Sequence, residues 1–97
     1  MGDLSSTVTI REVNSIGSKH LEVYTPATAD TGDTFAIDLA SYGGRLLKGI
    51  IGFIHSTAHS IVVQEQPTTS VSTTTVTVTV GGTAADDQAR FYKIMYW

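Results

Sequence analysis

Two histidines four positions apart, His55 and His59, form the spacing most suggestive of chemistry in this chain. On a helix they would share a face and could grip one metal ion. On a continuous strand they would lie about 13 Å apart, too far for a single ion. If Ser56-Thr57-Ala58 forms a three-residue turn, the rings become cross-strand neighbours, yet no third ligand is evident. Asp30-Thr31-Gly32-Asp33 and Asp86-Asp87 offer oxygens to calcium but lack the alternating acids and terminal Glu of an EF-hand loop. Such side chains serve more simply as turn formers that accept hydrogen bonds from their own backbone. No metal site and no cofactor is expected.

The nucleophile signatures are missing as well. Ser, His and Asp occur, but no G-x-S-x-G places a serine on a strained turn. Gly43-Gly44 and Gly81-Gly82 stand alone between strands and form neither a P-loop nor G-x-G-x-x-G. The chain therefore reads as a non-enzyme with no catalytic residues.

The 97 residues carry a formal charge of −3 and no cysteine. That length makes one domain, 1–97, burying roughly 60–65% of the surface its unfolded form exposes. An acidic balance argues against nucleic acid, whose partners carry clustered Lys and Arg. Without cysteine, packing has to hold the fold. MGDLSSTVTIREV lacks a basic start and an apolar run, so it does not read as a signal peptide. No run of 18 apolar residues suggests a membrane span, because LLKGIIGFI is interrupted by Lys48 and two glycines.

The elements that would position any site are strands. TTTVTVTV, residues 73–80, alternates Val76, Val78 and Val80 inward with threonines outward and stops at glycine. Thr7 to Ile10 repeats the pattern and pairs with Leu21 and Val23 across Asn14-Ser15-Ile16-Gly17 as a first hairpin. PATADTGD (26–33) reads as a loop, and Phe35, Ile37 and Leu39 alternate before Ser41-Tyr42-Gly43-Gly44, with room for a helical turn at 39–42. Leu46 to Ile54 is a central strand in which Gly49 and Gly52 mark a bulge or a close approach of backbones. Ser60 to Glu65 follows as a strand, and Gln66-Pro67-Thr68-Thr69-Ser70 reads as a loop. No stretch sustains a helical period. The fold expected is an all-β single-domain β-sandwich or small barrel of about seven antiparallel strands, with residues 1–6 as a candidate flexible arm.

ARFYKIMYW, residues 89–97, is the last strand and is apolar or aromatic on both faces. Lys93 marks the outward face, so Tyr92, Ile94 and Tyr96 should point in, and Phe91, Met95 and Trp97 out. Arg45 and Lys48, with Arg90 and Lys93 later, form a basic cluster that contrasts with the acidic first part of the chain. Such an asymmetry suits a second copy or a negatively charged partner. The expected interface residues are Phe91, Met95, Trp97, Arg45 and Lys48. The alternative use of a flat β-surface, carbohydrate binding, needs an exposed ring, for which Trp97, Tyr92, Tyr96 and Tyr42 are the candidates.

TVTIREV, KHLEVYTPA, TGDTFAIDLASYG and LKGIIGF, in that order over residues 7–54, resemble the layout of small β-rich virion proteins of tailed bacteriophages. The resemblance implies a structural role, foremost a capsid decoration or cement protein. Such a protein would be made in the host cytoplasm and sit on the capsid surface. It would bind the major capsid protein, often as a trimer, with no nucleic-acid or membrane partner. A tail or fibre component is the neighbouring possibility. No catalytic or ligand residue carries over from the resemblance.

Overall fold

The computed structural model describes residues 2–15, 18–57, 60–81 and 87–97. Among them run eight strands: β1 (Thr9–Ser15), β2 (Ser18–Tyr24), β3 (Thr34–Asp38), β4 (Leu47–Thr57), β5 (Ile61–Gln64), β6 (Thr68–Ser72), β7 (Thr75–Thr79) and β8 (Arg90–Tyr96). They form two antiparallel sheets, a five-stranded one in the order β1-β2-β8-β4-β5 and a three-stranded one in the order β3-β7-β6. The architecture is a small all-β sandwich.

Alternation builds the core. Val76, Val78 and Val80 are buried with Phe35 and Ile37 on the three-stranded side, against Leu21, Val23, Tyr92, Ile94 and Tyr96 of the five-stranded sheet. The rings of Phe35 and Tyr92 meet across the sheets with centroids 5.6 Å apart. Each such large side chain contributes roughly 1.5–3 kcal/mol of burial. Strand β8 lies between β2 and β4 as the central strand of the larger sheet, with one face buried in the core and the other partly exposed on the outside.

The first hairpin runs in register from Thr9↔Tyr24 to Ser15↔Ser18, with residues 16 and 17 of its turn outside the described residues. Leu39–Tyr42 does close a 3-10 turn, capped by Asp38, whose carboxylate accepts from Ala40 N at 3.1 Å. Gly43 ends it with φ 75°, a left-handed conformation that favours glycine. In β4 the register shifts between Leu47 and Gly49, the bulge anticipated for this strand. Gly52 is the close approach, since a Cβ there would collide with the Glu65 carbonyl and lie 2.7 Å from a Tyr92 ring carbon.

Two expectations change. Thr68-Thr69-Ser70 belong to β6, not to a loop, and pair with β7. Neither face of β6 is covered, so it carries no hydrophobic alternation to reveal it, and its hairpin to β7 turns at Thr73 with φ 56°. Over its described part, the N-terminal arm is docked rather than loose. Asp3 bridges Thr34 in parallel, Leu4 N donates to Thr34 O, Thr34 N donates to Gly2 O at 2.9 Å, and Leu4 is buried. Ala36 N donates to Ser5 Oγ at 3.1 Å, so the arm covers the free edge of β3.

Candidate functional site

The outer face of the five-stranded sheet gathers the residues with the most to offer a partner. Its rows follow from register. Val23, Leu21, Tyr92 and Ile94 point into the core, so their neighbours look out. One row reads Thr9, Tyr24, Phe91, Phe53 and Gln64 across β1, β2, β8, β4 and β5. The rings of Tyr24 and Phe91 are 4.6 Å apart and those of Phe53 and Phe91 6.4 Å, so three aromatics form a continuous strip on the solvent side. Tyr24 remains 44% exposed.

The next row is Arg11, Glu22, Lys93 and Ile51, and the one after it Val13, His20, Met95 and Gly49. Arg11 Nη1 stands 4.0 Å from Glu22 Oε1, an exposed pair that contributes little to stability. His20 Nε2 is 4.0 Å from the other Glu22 oxygen, while its Nδ1 is buried without a hydrogen-bond partner among the described residues.

Trp97 completes the face at the far end of β8. Its backbone is tied down: Trp97 N donates to Leu46 O at 3.0 Å, and Arg45 N and Leu46 N both donate to Trp97 O, at 2.6 and 2.9 Å. Its side chain is 55% exposed, with Lys48 Nζ 4.7 Å from the ring centroid. That distance is a cation–π contact. The structure thus brings Trp97, Lys48 and the Arg45 backbone together at one end and sets Phe91 and Met95 outward along the same strand. The inward set is as read, Tyr92, Ile94 and Tyr96.

Arg90 does not belong with the basic cluster. It is fully buried on the inner face of β8, where Nε donates to Glu65 Oε1 at 2.9 Å, Nη1 to Ala29 O at 2.9 Å and Nη2 to Thr31 Oγ1 at 3.2 Å. Strand parity places Arg90 with Tyr92, Ile94 and Tyr96, so the alternation that set the inner face was also the signal for its burial. Nearby, burial and the Glu65 charge push the Tyr92 phenol far above its ordinary range, and Tyr92 Oη has no hydrogen-bond partner among the described residues.

The acidic loop is structural. Asp33 accepts from Gly2 N at 2.7 Å and from Asp30 N at 2.9 Å, and Asp30 accepts from Asp87 N at 2.9 Å. The Asp30 and Gly2 N–H groups hold the Asp33 carboxyl below its ordinary value. Asp86 lies outside the described residues.

His55 is buried in β4 and registers opposite Val62, while Ser56 and Thr57 continue the strand and Thr57 pairs with Ile61. The turn therefore does not span 56–58, and His59 lies outside the described residues. Among the described residues, no three His, Asp or Glu side chains are grouped to hold a metal ion. Of the rings considered for a sugar platform, Tyr92 and Tyr96 are buried and Tyr42 is half-buried; Trp97 is open. Tyr24 and Phe53, which flank the expected interface residue Phe91, have no signal in the sequence, because the three rings come from three separate strands that only the register brings together.

Comparison of the chain with protein-family models, with curated proteins and with solved structures yields no match.

Proposed function

We propose that this is a virion structural protein, a decoration or cement protein that binds the outside of a capsid shell as a homo-oligomer and stabilises it. The observation that carries the reading is the outer face of the five-stranded sheet. It carries the strip Tyr24, Phe91 and Phe53 towards one end and Met95 with Trp97 under Lys48 towards the other, with the row Arg11, Glu22, Lys93 and Ile51 between them. Aromatic and Met side chains are what interface cores are enriched in.

Charge points to the kind of partner. Arg11 and Lys93 face out against Glu22, with Arg45 and Lys48 at the Trp97 end, although the chain as a whole carries −3. Basic side chains set between and beside the aromatics suit an acidic patch on the major capsid protein. Many weak copies on an array would add up to firm attachment. The layout resemblance to virion proteins supports the same role.

The test is co-sedimentation with undecorated phage-like shells, with shell survival on heating as a second readout. The wild-type chain should pellet with shells and raise their heat resistance. Tyr24→Glu and Trp97→Ala, both at exposed positions, should each weaken pelleting by roughly thirtyfold or more, the effect of losing an aromatic interface anchor. A wild-type chain that neither pellets with shells nor alters their resistance ends the proposal.

A carbohydrate-binding module is the second reading, favoured by the exposure of Tyr24 beside Phe91. A sugar ring could stack there. Binding on a glycan array that is lost in Tyr24→Ala would support it over the first.

A further inference from the structure

A two-layer sandwich has four sheet edges, here β1, β5, β3 and β6. Exposed edges present unpaired N–H and C=O groups that can recruit another strand, and proteins blunt them with charge, proline or a covering segment. Strand β1 carries Arg11 and Glu12, both exposed, and β3 is covered by residues 2–5. Strand β6 is largely threonine and serine. Among the described residues, strand β5 has none of these protections: Ile61-Val62-Val63-Gln64, with Ser60 before it, contains no charge and no proline. Three successive apolar side chains, Ile61 (54%), Val62 (49%) and Val63 (47%), stand exposed on both faces of it.

The hydrogen-bonding groups of β5 that take no partner among the described residues can be assigned. Glu65 N donates to Gly52 O at 2.9 Å, and the register runs Phe53↔Gln64, Ile54↔Val63 and His55↔Val62. Antiparallel pairs alternate between bonded and non-bonded, so Val63 bonds to β4 while Val62 and Gln64 direct their N–H and C=O away from it. The His55 N–H, which donates to Ala89 O at 2.9 Å on the other side of β4, fits the same parity.

We propose that β5 pairs antiparallel with β5 of a second copy of this chain about a two-fold axis at Val62. The segment is its own complement. With Val62 opposite Val62 of the second copy, Ser60 meets Gln64 and Ile61 meets Val63, each in both directions. Val62 and Gln64 are the positions in β5 whose parity directs their backbone outward, and Ser60 stands in the turn just before the strand. Every apolar side chain meets an apolar one and every polar end meets a polar end. A second copy carries this matching by symmetry, and the lack of charge removes the repulsion that would keep two copies apart. The pairing makes one ten-stranded sheet and sets two aromatic faces side by side, an isologous dimer. This deepens the homo-oligomer part of the function proposed above, yet the dimer forms whether or not a shell is bound.

The test is the mass in solution at tens of micromolar by light scattering, without shells. The wild-type chain should show twice 10.3 kDa. Val62→Pro removes an outward N–H and leaves the ladder to β4 intact, so its mass should halve. Should that variant fail to fold, two charge variants decide. Ile61→Lys with Val63→Lys sets lysine against lysine across the axis and should give monomer. Ile61→Lys with Val63→Glu sets lysine against glutamate and should restore a dimer that high salt weakens. A monomeric or trimeric wild type overturns the proposal, as do charge variants that behave alike. Shell binding that fails while the dimer persists would remove the decoration role only.

Discussion

Arg90 and Glu65 form an ion pair at 2.9 Å with both side chains fully buried. The pair ties the central strand of the larger sheet to the start of the link from β5 to β6. Through Ala29 O and Thr31 Oγ1 it also holds the 25–33 loop, and Thr25 N and Arg90 O close a further bond at 2.9 Å. Its role is to join separate segments at one point inside the sandwich.

Removing one partner should therefore be costly. Arg90→Met leaves the Glu65 carboxylate without its cation and should lower unfolding free energy by about 3–5 kcal/mol. Glu65→Leu should cost a comparable amount, but Arg90→Met with Glu65→Leu should cost clearly less than the sum, because neither charge is then stranded. Urea unfolding of the four proteins measures this. Additive losses would mean that the pair is not coupled.

A neighbouring residue should respond in the opposite way. Tyr92 is as buried as Arg90, yet its hydroxyl has no hydrogen-bond partner among the described residues. Tyr92→Phe keeps the ring that packs on Phe35 and removes an orphaned polar atom, so stability should hold or rise by up to about 1 kcal/mol. A loss beyond about 1 kcal/mol in urea unfolding would show that the hydroxyl is well satisfied.

The contrast between these residues shows what the sequence made legible. Val76, Val78 and Val80 follow from period two, and the inward set Tyr92, Ile94 and Tyr96 from period two with Lys93 marking the outward face; the structure buries all six. The same period placed Arg90 inside, but its charge argued for the surface, and only the contact with Glu65, 25 residues away, resolves the conflict. Strand β6 escaped notice because an edge strand exposed on both faces needs no apolar alternation. The outer aromatic strip depends on the register of β2, β8 and β4, which is set by long-range pairing rather than by any local pattern.

Acid should act on the docked arm through Asp33. Its carboxylate accepts from Asp30 N and Gly2 N, and these bonds hold its pKa below the ordinary value of 3.8. A folded-state value below the unfolded one means that the contribution is present in full above the unfolded value and is lost as pH falls through the folded one. Asp33→Asn keeps one acceptor oxygen and turns a donor toward one of the two N–H groups, so it should be less stable than wild type near neutrality. That gap should narrow once pH drops from about 6 to below about 3.8, because the unfolded wild type then takes up a proton that the folded state resists, while the amide does not titrate. Urea midpoints at the two pH values measure the gap. Amide exchange at Thr34, whose N–H donates to Gly2 O, reports whether the arm loosens in parallel. An equal gap at both pH values would mean that the loop is held by its backbone turn and not by the charge on Asp33.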